Sequence, residues 1–366
     1  MPLADRTLTP ETGVPMAPMT SLGVGGAARW FLQATTVEEV VAAWQWCGDA
    51  GVPLCVLGGG TNIVVADGGV DALVLQVVIR GIDFHQRGAS TSLRLGAGEP
   101  WDDAVSAAMS RGLAGLECLS GIPGSAGGTP VQNVGAYGQD VAQTISEVTA
   151  LDRESGEVVA LRGSECGFGY RTSRFKGADK GRFIVCEVRF ALSAQPPTVA
   201  YPDVIGRLTP RRASGPGLVD VRNAVLAIRR SKGMVIDPTD PDTRSVGSFF
   251  MNPVVDPARH ADLDSAEADA VPGFVLSDGQ VKIPAAWLIE QSGFSRGYQA
   301  GAVGLSAKHP LAIVNRGAAA AREILALAGA IKRRVIDRFG IALTAEPAFV
   351  GFEDDPDVAF LKEARS

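Results

Sequence analysis

Residues 121–138, GIPGSAGGTPVQNVGAYG, hold six glycines and two prolines and no charged side chain. Neither a helix nor a strand runs comfortably through such a stretch, because glycine forfeits the most backbone entropy and proline lacks an N–H donor. A hairpin connection needs only about two to five residues, far fewer than these. Without a Cβ, however, backbone N–H groups can approach a ligand closely and adopt positive φ, so the stretch predicts a phosphate-binding loop. A shorter run, GGGTN at 58–62, follows an apolar strand-like segment; alone it reads equally well as a plain turn or a ligand loop. Neither is a dinucleotide fingerprint, which would follow a strand, open a helix and meet an acid about 20 residues on. Two separate loops in two successive α/β units instead suit a large phosphorylated cofactor between subdomains.

A chain of 366 residues with 46% hydrophobic content can bury two or three sizeable cores. Its formal net charge of -6 argues against general affinity for nucleic acid or anionic membranes and favours a small partner. The five cysteines (Cys47, Cys55, Cys118, Cys166, Cys186) form no CxxC pair, so neither a disulfide scaffold nor a zinc site is supported. No basic start with an apolar core opens the chain, and no stretch approaches about 18 uninterrupted apolar residues. The expectation is a soluble cytoplasmic protein without metal.

Thr36 and Glu39 make a capping-box pattern for a helix that carries Val40, Val41 and Trp44 on one face and ends at Gly51. A second helix is expected over residues 100–111, with Trp101, Val105, Ala108 and Met109 on one face. Strand patterns follow at ISEVTALDR, EVVALR and RFIVCEVRFAL. The stretches SAQPPTVAYP and RRASGPG read as a linker, placing a domain boundary near residues 195–217. A helix over Leu218–Ser231 opens the next unit, and Ile324, Leu327, Ile331 and Val335 mark a long amphipathic helix.

Candidate chemistry is sparse. In GYRTSRF, Arg171 and Arg174 sit beside a tyrosine and a serine; the bland reading is a surface turn, although guanidinium forks suit a carboxylate or phosphate. The three histidines (His85, His260, His309) lie outside these motifs and read as surface or core residues. Ser248, in VGSFFMNP, therefore has no evident histidine partner, and the sequence is not a GxSxG elbow. Taken alone, VGSFFMNP is a buried strand running into a turn.

Together LGGGTNIVV, GIPGSAGGTPVQNVGAYG, GYRTSRFK, VGSFFMNPVV, AAWLIEQSGF and AEPAFVG, in that order along nearly the whole chain, resemble the UDP-N-acetylenolpyruvoylglucosamine reductase family. The resemblance implies an α+β protein: a two-subdomain FAD-binding domain of the vanillyl-alcohol-oxidase type plus a C-terminal α/β substrate-binding domain. The parts fall at residues 1–75 (completed by 340–366), 76–215 and 216–339. It implies noncovalent FAD contacted by Gly58, Gly59, Gly60, Thr61 and Asn62, and by Gly121, Ile122, Pro123, Gly124, Ser125, Gly127, Gly128, Asn133, Gly135, Ala136 and Tyr137. NADPH would be the hydride donor, and the product UDP-N-acetylmuramate would serve peptidoglycan synthesis. Arg171, Ser248 and Glu346 match the family's catalytic residues, Ser248 as proton donor and Glu346 as an expected hydrogen-bond donor. Tyr201, Lys232, Asn252 and Gln291 match positions that bind the UDP-sugar. AEPAFVG departs from the commoner Glu-Val-Arg/Lys-Ile-Ile-Gly at Pro347 and Ala348. Two rivals stand beside this reading: a carbohydrate or alcohol oxidase on the same flavin fold, and a non-catalytic nucleotide-sugar-binding flavoprotein.

Overall fold

The computed structural model describes residues 8–88, 90–208, 215–267 and 269–364. The extreme N-terminus and residues 209–214 of the expected linker fall outside them. By contacts the chain forms two compact units. The first contains residues 28–60 and 71–235 with the N-terminal strand; the second contains 15–27, 61–70 and 236–366. Helix Leu218–Ser231 therefore counts with the first unit, whereas the sequence reading has it open the next.

In the first unit, one four-stranded sheet has the order Glu11–Pro15, Ala27–Ala34, Val70–Val77, Leu54–Leu57, its last pair parallel. The other has five strands, all antiparallel, ordered Val158–Arg162, Ile145–Asp152, Phe183–Ser193, Ser90–Gly96, Ile82–Arg87. The second of the two expected α/β units is therefore an antiparallel sheet. The apolar faces of both sheets share a core with helices Val37–Ala50 and Trp101–Ser110, around the buried Trp101 and Phe190.

Both predicted helices form, with one shift. Thr36 Oγ1 accepts from the Glu39 N–H at 3.2 Å, but the Glu39 carboxylate turns back to the Thr35 N–H at 2.7 Å. Its buried stripe is Val40, Ala43 and Cys47; Val41 and Trp44 sit at the stripe's margin. Trp101–Ser110 buries Trp101, Ala104, Val105, Ala108 and Met109, one turn apart in pairs.

The second unit's core gathers Phe249 and Phe250, helix Ala285–Gln291 and the long helix Ala321–Phe339. Ile324, Leu327, Ile331 and Val335 all lie in it. Strand Ala348–Val350 pairs parallel with Ile63–Val65, and Val303–Leu305 pairs antiparallel with Ile313–Asn315. Helices Pro257–Ala266 and Pro356–Lys362 carried no pattern strong enough to predict. Among the described residues no helix is long and apolar enough to cross a membrane, and no group of three acidic, histidine or cysteine side chains could hold a metal.

Candidate functional site

The two glycine runs meet backbone to backbone in the first unit. A Cβ at Gly59 would lie 2.7 Å from Gly124 Cα, and one at Gly58 would lie 3.0 Å from Ser125 Oγ. Only glycine permits that approach, and it leaves main-chain amides and the Ser125 hydroxyl at the junction. Gly121 and Gly124 have φ of 70° and 121°, a region L side chains avoid. Two of the expected contact residues also pack within the fold: Ile122 lies against the hydrophobic core, and a Cβ at Gly127 would be 2.6 Å from that of Ala97. Pro123 carries the turn between Ile122 and Gly124, and Gly128 begins the short helix Gly128–Gln132. Thr61 and Asn62 belong to the second unit, where Asn62 O accepts from the Ala348 N–H at 3.0 Å.

Behind this junction Asp102 is the tie. It accepts from the Gly121 N–H at 2.6 Å and from both Arg222 terminal nitrogens at 2.7 Å. Burial alone would raise its carboxyl, but the Arg222 and Gly121 hydrogen bonds win and hold it below the ordinary carboxylate value. One side chain thus joins helix Trp101–Ser110, the glycine loop and helix Leu218–Ser231.

GYRTSRF forms the expected turn, closed by backbone bonds between Gly169 and Thr172 with Tyr170 exposed, but side-chain bonds tie it down. Ser173 is buried and its Oγ donates to Val131 O at 2.8 Å; Asn133 Nδ2 donates to Gly169 O at 2.8 Å; Lys176 Nζ reaches Gln132 Oε1 at 2.8 Å. These bonds stitch the segment onto the second glycine stretch. Arg171, half-buried, donates through a terminal nitrogen to Gly135 O at 2.8 Å, next to Ala136 in the two-residue strand Gly135–Ala136. Arg174 pairs instead with Asp179 at 2.6 Å. Among the described residues four non-glycines have positive φ, and three of them are Asn133, Tyr137 and Arg171. Such conformations cost about 1–3 kcal/mol each and persist where surrounding bonds over-determine them, as here.

Tyr201 stands edge-on to Tyr137 with ring centroids 5.5 Å apart, and Lys232 Nζ lies 3.1 Å from Asp203 Oδ2. Arg229, missed by the sequence reading, bonds Met234 O at 2.7 Å and also the Tyr137 side chain. Burial pushes its guanidinium below the usual arginine value, Tyr137 and Asp102 pull it back up, and Arg171 pushes it down again. The signal was its place in a basic run, IRRSK, at the end of a helix. Cys118, the nearest thiol, is buried and pushed up to about 12 by that burial, which leaves it an unreactive core group.

In the second unit, Phe249 lies between two segments: its N–H donates to Leu311 O at 2.8 Å and its carbonyl accepts from the Glu346 N–H at 2.9 Å. Phe250 bridges to Ala345 and the Met251 N–H bonds Thr344 O at 3.0 Å, so the serine segment and AEPAFVG run side by side. Ser248 and Glu346, about 100 positions apart in sequence, thereby become neighbours. The expectation that Ser248 lacks a histidine partner is overturned: its Oγ is 3.5 Å from His309 Nε2. Asn252 Oδ1 accepts from the Ala285 N–H at 2.9 Å and caps the helix whose far end is Gln291, about 9 Å along at 1.5 Å per residue. Gln291 lines an open cavity of about 340 Å³ with Ser292, Arg334 and Arg338.

Residues 28–162 match the FAD binding domain model, and residues 237–350 match the model for the UDP-N-acetylenolpyruvoylglucosamine reductase C-terminal domain. A UDP-N-acetylenolpyruvoylglucosamine reductase from Thermobifida fusca is 44% identical, over 92% of this chain and 97% of its own length. One from Streptomyces coelicolor is 45% identical over 94% of this chain and 92% of its own. Among solved structures, the UDP-N-acetylenolpyruvylglucosamine reductase from Thermus caldophilus aligns with a TM-score of 0.64 at 26% identity, covering 93% of this chain and 99% of that one. With its glycine cradle inside the FAD-binding match and its Ser248–Glu346 pair inside the C-terminal match, the chain belongs to the UDP-N-acetylenolpyruvoylglucosamine reductase family.

Proposed function

We propose that the chain uses NADPH and noncovalently held FAD to reduce the enolpyruvyl group of UDP-N-acetylglucosamine enolpyruvate, giving UDP-N-acetylmuramate for cytoplasmic peptidoglycan-precursor synthesis and cell-wall biogenesis. The observation that carries this reading is the backbone bond from Glu346 to Phe249, which runs the Ser248 segment alongside Glu346, in a chain of this family. A flavin fits the junction of the two glycine runs, where the missing Cβ atoms leave main-chain amides free to approach a phosphate-bearing ligand. When bound and reduced, FAD supplies the hydride for the terminal carbon of the enolpyruvyl double bond. Residues 1–75 and 76–215 serve as the flavin-binding parts and 216–339 as the substrate-binding part.

The carbon beside the substrate carboxylate then needs a proton, and Ser248 Oγ–H delivers it. Charge spreads onto the carboxylate oxygens as that carbon becomes basic; Arg171 meets them with its fork and Glu346 with a hydrogen bond. Lys232 exchanges Asp203 for the diphosphate readily, because an exposed ion pair contributes only about 0–1 kcal/mol. Tyr201, Asn252 and Gln291 complete the UDP-sugar contacts. NADPH and the UDP-sugar occupy the site in turn, so initial-rate lines should be parallel.

Absorbance of the purified protein tests the reading. Flavin bands should bleach with NADPH under nitrogen and return when UDP-N-acetylglucosamine enolpyruvate is added. Recolouring by air together with a sugar alcohol would instead establish an oxidase, and a chain that takes up no FAD would rule out both.

A further inference from the structure

We infer that His309 is the positioning residue for Ser248, donating an Nε2–H hydrogen bond to Oγ so that the serine's own proton points to the substrate carbon. The inference rests on Ser248 being the proton donor. Its basis is the 3.5 Å approach of His309 Nε2 to Ser248 Oγ, a contact at the long end for a hydrogen bond and of the kind that tightens when a reacting complex forms.

The ring is mounted for this task. His309 sits in a turn whose ends are tied by Ser306 N–H to Ala312 O at 2.9 Å and by Ala312 N–H to His309 O at 3.1 Å. Ser306 Oγ accepts from the Lys308 and His309 N–H groups at 3.0 and 3.3 Å, while Lys308 pairs with Asp240. Two positions on, Leu311 O receives the Phe249 N–H, fixing the turn to the residue that follows Ser248. Both side chains are half-buried, and 61 positions separate them in sequence.

Hydrogen-bond direction decides what such a pair does. Were Nε2 the acceptor, the Ser248 hydroxyl would aim its proton at the imidazole, as a nucleophilic serine does, and away from a carbanion. With Nε2–H as donor, the hydroxyl hydrogen is released toward substrate and the oxygen is stabilised as it becomes an alkoxide. The balance is one proton: the Oγ–H bond breaks as the substrate C–H bond forms, and the negative charge left on Oγ stays hydrogen-bonded to Nε2–H until solvent restores the hydroxyl.

The test compares half-reactions and tautomers. His309→Ala should leave flavin reduction by NADPH and the KM for the enolpyruvyl substrate unchanged, and slow reoxidation on the order of 10²-fold, as when one oxyanion donor is removed. His309→Gln, whose amide can still donate, should recover most of that loss. In the ¹⁵N spectrum of the chain's three imidazoles, the signal missing from His309→Gln should report a protonated Nε2. An unprotonated Nε2 in the wild-type chain, or reoxidation at the parent rate in His309→Ala while Ser248→Ala is slow, would overturn the inference alone. A Ser248→Ala variant that reoxidises normally would overturn the donor reading and this inference together.

Discussion

The glycine junction with Arg171 and the Ser248–His309 segment hold their functional groups by different means. Around Arg171 the backbone itself is unusual: three non-glycine residues at positive φ, glycines whose Cβ has no room, and a loop sewn down by side-chain bonds from Ser173, Asn133 and Lys176. Around Ser248 the backbone is an irregular segment that follows Gly247 at a φ of 76°, fixed at Phe249 by Leu311 on one side and Glu346 on the other and anchored by two buried phenylalanines. The first arrangement presents main-chain amides, which need a fixed backbone path; the second presents side-chain protons, which need only a segment held at its neighbours. Substitutions of the cradle glycines should therefore disturb flavin occupancy and both half-reactions, and those in the second region should disturb reoxidation alone.

Ser248→Ala probes that contrast most strongly. Reoxidation by the enolpyruvyl substrate should fall by about 10²–10⁴-fold, the usual range for a lost general acid, with flavin reduction nearly intact. Equal slowing of both half-reactions in stopped flow would erase the distinction between the regions. Next comes Arg171→Lys, which keeps the charge and loses the fork and the bond to Gly135 O. A charged hydrogen bond is worth about 1.5–3 kcal/mol, so a loss on the order of 10–100-fold in kcat/KM is expected, with a rise in KM for the UDP-sugar.

Gly59→Ala is smaller and aims at the cradle. Its Cβ would meet Gly124 Cα at 2.7 Å, backbone against backbone, and overpacking of this kind costs about 1–3 kcal/mol. Lower Tm and partial FAD occupancy should appear together, and unchanged occupancy would show that the loops give way more easily than their packing implies. The smallest effect concerns Asp102. Its folded carboxyl lies below the ordinary 3.8, so its contribution is full above that value and is lost as pH falls below it toward the folded value. Urea midpoints of Asp102→Asn should therefore fall less steeply than the parent's below about pH 4; equal slopes would remove this tie from the account.

Much was legible from local chemistry. Helix ends followed from Thr36, Pro100 and Gly51, and the core face of Ala321–Phe339 followed from Ile324, Leu327, Ile331 and Val335, because caps and 3.6-residue periodicity act within a few residues of themselves. The two glycine loops announced themselves for the same reason: a residue without Cβ is informative wherever it stands. Bonds between distant segments carry no such local mark. The ties that hold GYRTSRFK, to Val131, Asn133 and Gln132, form only once the chain is folded, so the sequence shows no more than its turn.

The sequence by itself determined where the backbone can bend tightly, which faces are apolar and, through six motifs in order, the family. Only the tertiary structure decided that Arg229 lies close enough to Arg171 to feel its charge, and that His309, 61 positions away, stands against Ser248. The physical reason is that a side chain's role in proton transfer depends on hydrogen-bond distance and direction, and those are set by sheet pairing and turn geometry that no local pattern of residues encodes.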